Sequence, residues 1–243
     1  MPAELLLERM TWPEIAEAIN SGLTTAIVVA ASSEQHGPHL PEATDALLGE
    51  ALAVRLAERL GDALVAPVIR PGCSEHHMGF PGTISISPDT LMTLLDDYVT
   101  ALKKHGFTRL IVFSSHGGNF PVLARWAEER AQPGVVVLSD LSAFAGAMLG
   151  ALRQFGRDDT TIPHADASET AEMMFIHPEL VRESLAERGF VGEVGLADLQ
   201  ARGLRAISAN GVLGDPVGAT AEMGQAVLQA LTDYLAEQLP AAR

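Results

Sequence analysis

The sequence has a single cysteine, Cys73, so no disulfide can form within the chain, which fits a reducing compartment. Positive charge is also scarce: 16 Lys plus Arg stand against 31 Asp plus Glu, a net charge of −15. Affinity for phosphate backbones comes from clustered cations that release counterions, so this balance excludes nucleic acid and disfavours an anionic membrane surface. No segment approaches the roughly 18 unbroken apolar residues of a membrane span. Met1 to Met10 alternates acids with leucines and lacks the basic start of a signal peptide. The expectation is a cytoplasmic protein with no membrane and no nucleic-acid partner. Repeats, low-complexity tracts and Ser/Pro-rich linkers are absent as well. With 47% hydrophobic and 19% charged residues, the chain is predicted to form one domain over residues 1–243, burying roughly 70 to 75% of its unfolded surface.

Apolar β-branched runs alternate with helical patterns. Thr24 to Ala31 reads as a buried strand, and Asp45 to Leu60 has apolar residues at helical spacing. Ala63 to Ile69 reads as a second strand, closed by Pro71 and Gly72. Pro88 to His105 is a helix with proline at its start and Gly106 past its end. Arg109 to Ser114 is a third strand, Pro121 to Arg130 a helix, and Val135 to Ser139 a fourth strand. This rhythm predicts an α/β fold, a mostly parallel sheet with helices on both faces, because parallel crossovers need a helix-length connection. After about Phe144 the pattern is less regular, with a loop-rich stretch at Gly156 to Pro163 and a closing helix from Ala219 to Gln238.

Ligands of open α/β sheets bind beyond the carboxyl ends of the strands, and the polar residues of this chain concentrate there. The first strand exits into Glu34, His36 and His39, with Asp45 close behind; the second into Glu75, His76 and His77; the third into His116, Gly117, Gly118 and Asn119. Glu34 and His36 are two apart, so in extended chain they project to one side, where a carboxylate and an imidazole can share a metal ion. His164 and Glu169 form a further cluster with Asp166. Each has a structural reading too. Asp45 suits a helix N-cap, Asp166 with Glu169 has capping-box spacing, and His116 before two glycines suits an anion nest. His105 and His177 fit helix-end and turn roles. Separate caps, however, would not bring Glu34, His36, Asp45, His116 and Glu169 to one sheet edge.

These residues carry a resemblance. Glu34 to Pro41 with Thr44-Asp45, Phe80 to Ser85, Ser115 to Asn119, His164 with Glu169-Thr170, and Gly211 to Pro216 with Ala219-Thr220 resemble, in order, the motifs of the creatininase (creatinine amidohydrolase) family. The resemblance implies a creatininase-like three-layer, Rossmann-like sandwich. It also implies a metal-dependent hydrolase that cleaves a C–N amide bond of a small amide, cyclic or not, by a metal-bound hydroxide. It implies two divalent metal ions, zinc foremost with manganese or iron as alternatives, held by Glu34, His36, Asp45 and His116 with Asp45 bridging. Where creatininase has a further glutamate ligand this chain has Gly118, and Glu169 is expected to supply the missing carboxylate. His164, with an imidazole pKa near 6.5, is the expected general acid. His39, His76 and Asn119 are the expected substrate contacts. Family members assemble as hexamers, so a homo-oligomer is implied.

The only tryptophans are Trp12 and Trp126, so the late aromatic residues with which creatininase encloses its flat substrate are missing, which argues against creatinine. Other branches hydrolyse a formylaminopyrimidine nucleotide or trim the mycofactocin precursor peptide, and Leu204 to Thr220 looks similar to the latter. The competing class is a non-catalytic α/β ligand-binding module, in which His116 to Asn119 cradles a phosphate.

Overall fold

The computed structural model describes residues 4–130, 132–157 and 163–240. The run TAIVVA forms β1 (Thr25–Ala30), with every residue buried, as expected of a strand covered on both faces. It pairs in parallel with β2 (Ala63–Val65) on one side and β3 (Arg109–Ser114) on the other, and β3 pairs with β4 (Val135–Leu138). The sheet is entirely parallel, in the order β2-β1-β3-β4.

The helices are α1 (Trp12–Asn20), α2 (Thr44–Leu60), α3 (Pro88–Lys104), α4 (Phe120–Arg130), α5 (Leu141–Arg153), α6 (Ala167–Ile176), α7 (Leu196–Arg202) and α8 (Ala221–Glu237). Right-handed crossovers place α2 on one face and α3 and α4 on the other. Accordingly, α2 packs on β1 and β2, while α4 packs on β3 and β4 and against α3. Trp126 of α4 is almost wholly buried and donates its indole N–H to Asp96 of α3 at 2.8 Å. On the α2 face, α8 lies beside α2 and carries α5 and α6.

The predicted alternation is present, with three differences. The second strand ends at Val65 rather than Ile69, because Pro67 has no N–H to give the ladder; the chain rejoins the sheet only through a bridge of Ile69 to Ala30. The segment expected to become irregular at Phe144 is the regular helix α5, begun by Asp140, whose side chain accepts from Ala143 N. Its Ala143, Ala145, Gly146, Ala147 and Gly150 are too small to mark an apolar face. Helix α1 has a full capping box, Thr11 with Glu14, and follows no expectation from the apolar pattern. Of the loop-rich stretch expected at 156–163, residues 158–162 lie outside the described residues.

The α6–α8 contact is close enough to require glycine. A Cβ on Gly224 would stand 2.0 Å from Ala171 O and 2.7 Å from Glu172 N. Gly224→Ala is therefore expected to destabilise the protein by about 1–3 kcal/mol through overpacking. Urea unfolding checks this; an unchanged midpoint would mean that the two helices part freely.

Candidate metal centre

Three strand exits meet at one edge, and Asn119 binds them together. Its Nδ2 donates to Ala30 O and Ala31 O, at 3.1 and 3.0 Å, and its Oδ1 accepts from Cys73 N at 2.9 Å. All of its polar atoms are thus spent on backbone, and the substrate contact expected of it is corrected to a positioning role. Phe80 to Ser85 pins the exit of β1: Thr83 Oγ1 accepts from Gln35 N, and Ile84 N donates to Ser33 O. Ser115 Oγ donates to Asp45 O at 2.7 Å and so docks the start of α2. Asp45 lies in the first turn of α2 without capping it.

Within this frame, buried carboxylates face buried imidazoles. Asp45 Oδ1 lies 3.1 Å from His36 Nε2, and Asp45 Oδ2 lies 3.4 Å from His116 Nδ1. Glu34 Oε1 lies 3.1 Å from His116 Nδ1 and 3.3 Å from His77 Nε2, and Glu169 Oε2 lies 3.6 Å from His36 Nε2. The far nitrogens of both central rings meet backbone carbonyls: His36 Nδ1 bonds Glu34 O at 3.0 Å, and His116 Nε2 meets Cys73 O at 3.3 Å. A carbonyl can only accept, so each ring turns its other nitrogen inward, the arrangement that orients metal-ligating histidines.

Three sets of ligand atoms lie within 4.8 Å of one another: Glu34, Asp45 and His116; His36, Asp45 and Glu169; and Glu34, His36 and His164. Asp45 belongs to the first two, one oxygen turned to each, and its buried Oδ2 has no hydrogen-bond partner among the described residues. Three carboxylates and facing imidazoles, with an orphaned carboxylate oxygen among them, fit divalent cations of the zinc, manganese or iron type.

Gln35 orders the outer side. Its Nε2 contacts Gly211 O and His77 Nδ1, both at 3.2 Å, and its own carbonyl lies 2.9 Å from His164 Nε2. Gln35 Nε2 also lies 3.0 Å from His164 Nε2. In the proton pattern assigned from these distances, the two Gln35 protons go to Gly211 and His77, His77 donates to Glu34, and His164 Nε2 donates to Gln35 O. His164 then presents a lone pair at Nδ1, 3.9 Å from Glu34 Oε1. The antiparallel bridge His164 to Leu213 holds that histidine in place. Ala165 adopts φ 51°, a left-handed conformation that costs an alanine roughly 1 kcal/mol, and turns its N–H onto Glu169.

Several expectations need correction. Glu169 stands with His36 and Asp45 as the third donor of that set, while Gly118 itself carries no carboxylate. That space is closed: a Cβ at Gly118 would lie 2.4 Å from Cys73 O and 2.9 Å from His76 Cε1. Of the Asp166–Glu169 capping box, the Asp166 half forms, while Glu169 accepts from Ala165 N instead of Asp166 N. His39 is enclosed and pairs with Thr170 Oγ1 at 2.8 Å, away from the cleft. His76 does line the cleft, with Glu34, Asp45, His116 and His164. His77, which directly follows His76 in the second strand exit, and Gln35 join the cluster although the sequence motifs assign neither a role. His105 caps α3, and His177 pairs with Glu179 Oε1 at 3.0 Å.

Charge in the cleft follows from burial and neighbours. Burial opposes the charged form of His36, but Asp45 and Glu169 prevail and raise its pKa to about 10. His116 is likewise raised well above the ordinary range, against burial, by Glu34 and Asp45. Glu34 is held well below its ordinary value, against burial, by His116 and His77. Burial, with Asp45 and Asp166, pushes Glu169 up to about 8 despite His36. His164 is depressed well below 6.5 by burial and then by His36, which favours its neutral form in the metal-free protein.

The family model described as creatinine amidohydrolase matches residues 8–239. The chain belongs to the creatininase family. A mycofactocin precursor peptide peptidase of Mycolicibacterium smegmatis is 32% identical, over 91% of this chain and 86% of that protein. A creatinine amidohydrolase of Pseudomonas putida is 30% identical, over 74% and 75%. A solved creatininase variant of Zn–Zn type superposes with a TM-score of 0.74 at 26% identity, covering 97% of each chain. This creatininase-family protein is thus an amidohydrolase.

The shifts set the pH response of the metal-free protein. Glu169 keeps its proton in the fold up to about 8 but loses it near 4.5 when unfolded, so rising pH favours unfolding across that window. His36 stabilises fully below 6.5, and that contribution is lost as pH rises through about 10. Metal-stripped protein is expected to lose thermal stability as pH rises from about 6 to 9, less steeply in Glu169→Gln. A melting temperature that climbs over this range would contradict the assignment of these groups.

Proposed function

We propose that this creatininase-family chain is a single-domain, metal-dependent amidohydrolase whose two divalent cations share Asp45. The observation that carries the reading is the Asp45 carboxylate, each oxygen turned to a different imidazole and one oxygen without a hydrogen bond among the described residues. Glu34, Asp45 and His116 would hold one cation, and His36, Asp45 and Glu169 the other; zinc is favoured, with manganese or iron as alternatives. Such a pair supplies Lewis acidity, lowering the pKa of a bound water from about 16 towards 7 and polarising the amide carbonyl.

The chain's own groups do the rest. Neutral His164 takes a proton at Nδ1 and returns it to the leaving nitrogen, so it works as base before acid. His77, donating to Glu34, fixes that carboxylate. Leu199, Leu204 and Leu213 line the cleft around His76 and restrict water. His76 is placed to meet the substrate. Three carboxylates against two divalent cations and a hydroxide leave the pocket near neutral, which avoids an uncompensated buried charge.

A second reading within the family is peptide trimming. The cleft of about 50 Å³ at the cluster shares Ser115, Gly117, Pro163, Glu169 and Leu196 with a neighbouring cavity of about 630 Å³. That is larger than a compact cyclic amide needs, and it favours a substrate with a substantial arm over creatinine. No described helix is long and apolar enough to cross a membrane, and a cytoplasmic location fits the lone free Cys73. Exposed Trp12, Met78, Ile84 and Leu185 support assembly into a homo-oligomer, hexameric by resemblance.

Metal analysis of the purified protein is expected to find two ions per chain, and Asp45→Ala to lose both together with all amidase activity. Protein that neither holds nor takes up metal would sink the reading. His77→Ala is expected to weaken metal affinity by about 10- to 100-fold, measured by chelator competition. An activity panel of creatinine, formylated pyrimidines and short peptides distinguishes the substrate branches.

A further inference from the structure

The metal chemistry does not use most of the large cavity. It lies beneath α5, and Leu48, Leu52, Phe120, Phe144 and Leu231 give it apolar walls from four helices. Its volume of about 630 Å³ is in the range of small-molecule sites, which are apolar with a few placed polar groups. Its polar lining is Ser115, Ser142, Arg153, Glu169 and Glu172, and of these Glu172 of α6 is 1% exposed with an Oε2 that makes no hydrogen bond among the described residues. A buried carboxyl without a partner destabilises a fold, and an apolar residue of similar volume would be better tolerated there. Glu172 stands three residues after Glu169, so the two carboxyls leave adjacent turns on one side of α6. Glu169 borders both the cavity and the cleft of the imidazole–carboxylate cluster.

We propose that this cavity receives the apolar arm of the substrate and that Glu172 is its specificity residue, accepting a hydrogen bond from an amine or hydroxyl on that arm. The donor sits about one helical turn, roughly 5 Å, from the carboxylate at the reacting end. The substrate class is an amide whose arm joins an aliphatic or aromatic group to a hydrogen-bond donor near the scissile bond. This inference rests on the amidohydrolase reading of the neighbouring cluster, but the subsite is preformed and needs no metal to be tested.

Calorimetric titration of the metal-stripped full chain with phenethylamine, phenethyl alcohol and ethylbenzene tests it. Wild type is expected to bind the two donors about tenfold more tightly than ethylbenzene. Glu172→Leu is expected to lose that preference while keeping its affinity for ethylbenzene, with a melting temperature no lower than wild type. Glu172→Gln, which retains an acceptor and the side-chain volume, keeps the alcohol preference and loses most of the amine's. Equal binding of the three probes by wild type, no binding of any probe, or an unchanged preference in Glu172→Leu would each overturn the proposal. None of these outcomes touches the metal content of the protein, whose failure would count against the amidohydrolase reading instead.

Discussion

The structure turns on a charge constraint. Glu34, Asp45 and Glu169 are all buried at one sheet edge, where each unpaired charge would cost several kcal/mol of desolvation. The protein meets this with imidazoles held by backbone carbonyls on their outer side, so that their inner nitrogens face the carboxylates. Without cations, protons must supply the positive charge, which is why His36 and His116 are pushed up together with Glu169. Protons and cations therefore compete for the same pocket, and the geometry that strains the metal-free protein is the geometry that suits a divalent ion.

The sheet makes that pocket possible. Parallel strands end at one edge, so β1, β3 and the chain following β2 deliver their exits side by side, and Asn119 fastens the three together. The C-terminal part then closes the site from outside: Gly211 receives Gln35, and Leu213 bridges His164. Motifs far apart in the chain hold one another's backbones. The cavity under α5 adds a second feature, a largely apolar volume bordered by the carboxyls of Glu169 and Glu172.

Much of this was legible in the sequence. Unbroken apolar runs, helical periodicity and end signals placed β1, α2, α3, β3 and α4 to within a residue or two, because strand burial and helix amphipathicity are local properties. The gathering of Glu34, His36, Asp45 and His116 was also legible, since residues that follow parallel strands share an edge, while Glu169, on α6, was legible only through its motif. Helix α5 escaped notice because small residues on every side erase the apolar stripe. The shortened second strand was readable from Pro67, whose missing N–H interrupts the ladder.

Other features depended on the fold alone. Which triad Glu169 joins, that His76 fills the space beside Gly118, and that Asn119 spends its amide on backbone all follow from contacts between distant segments. So does the neutrality of His164 in the metal-free protein, because burial and a cationic neighbour, not residue type, set its pKa. Glu172 reads in sequence as one more acid on a helix; only the packing of α2, α5, α6 and α8 buries it against an apolar cavity. The sequence by itself determined the fold class, the family and the donor set, since these rest on local pattern and residue chemistry. Tertiary structure decided the pairing of donors, their charge states and the shape of the substrate space, since these depend on distance and burial.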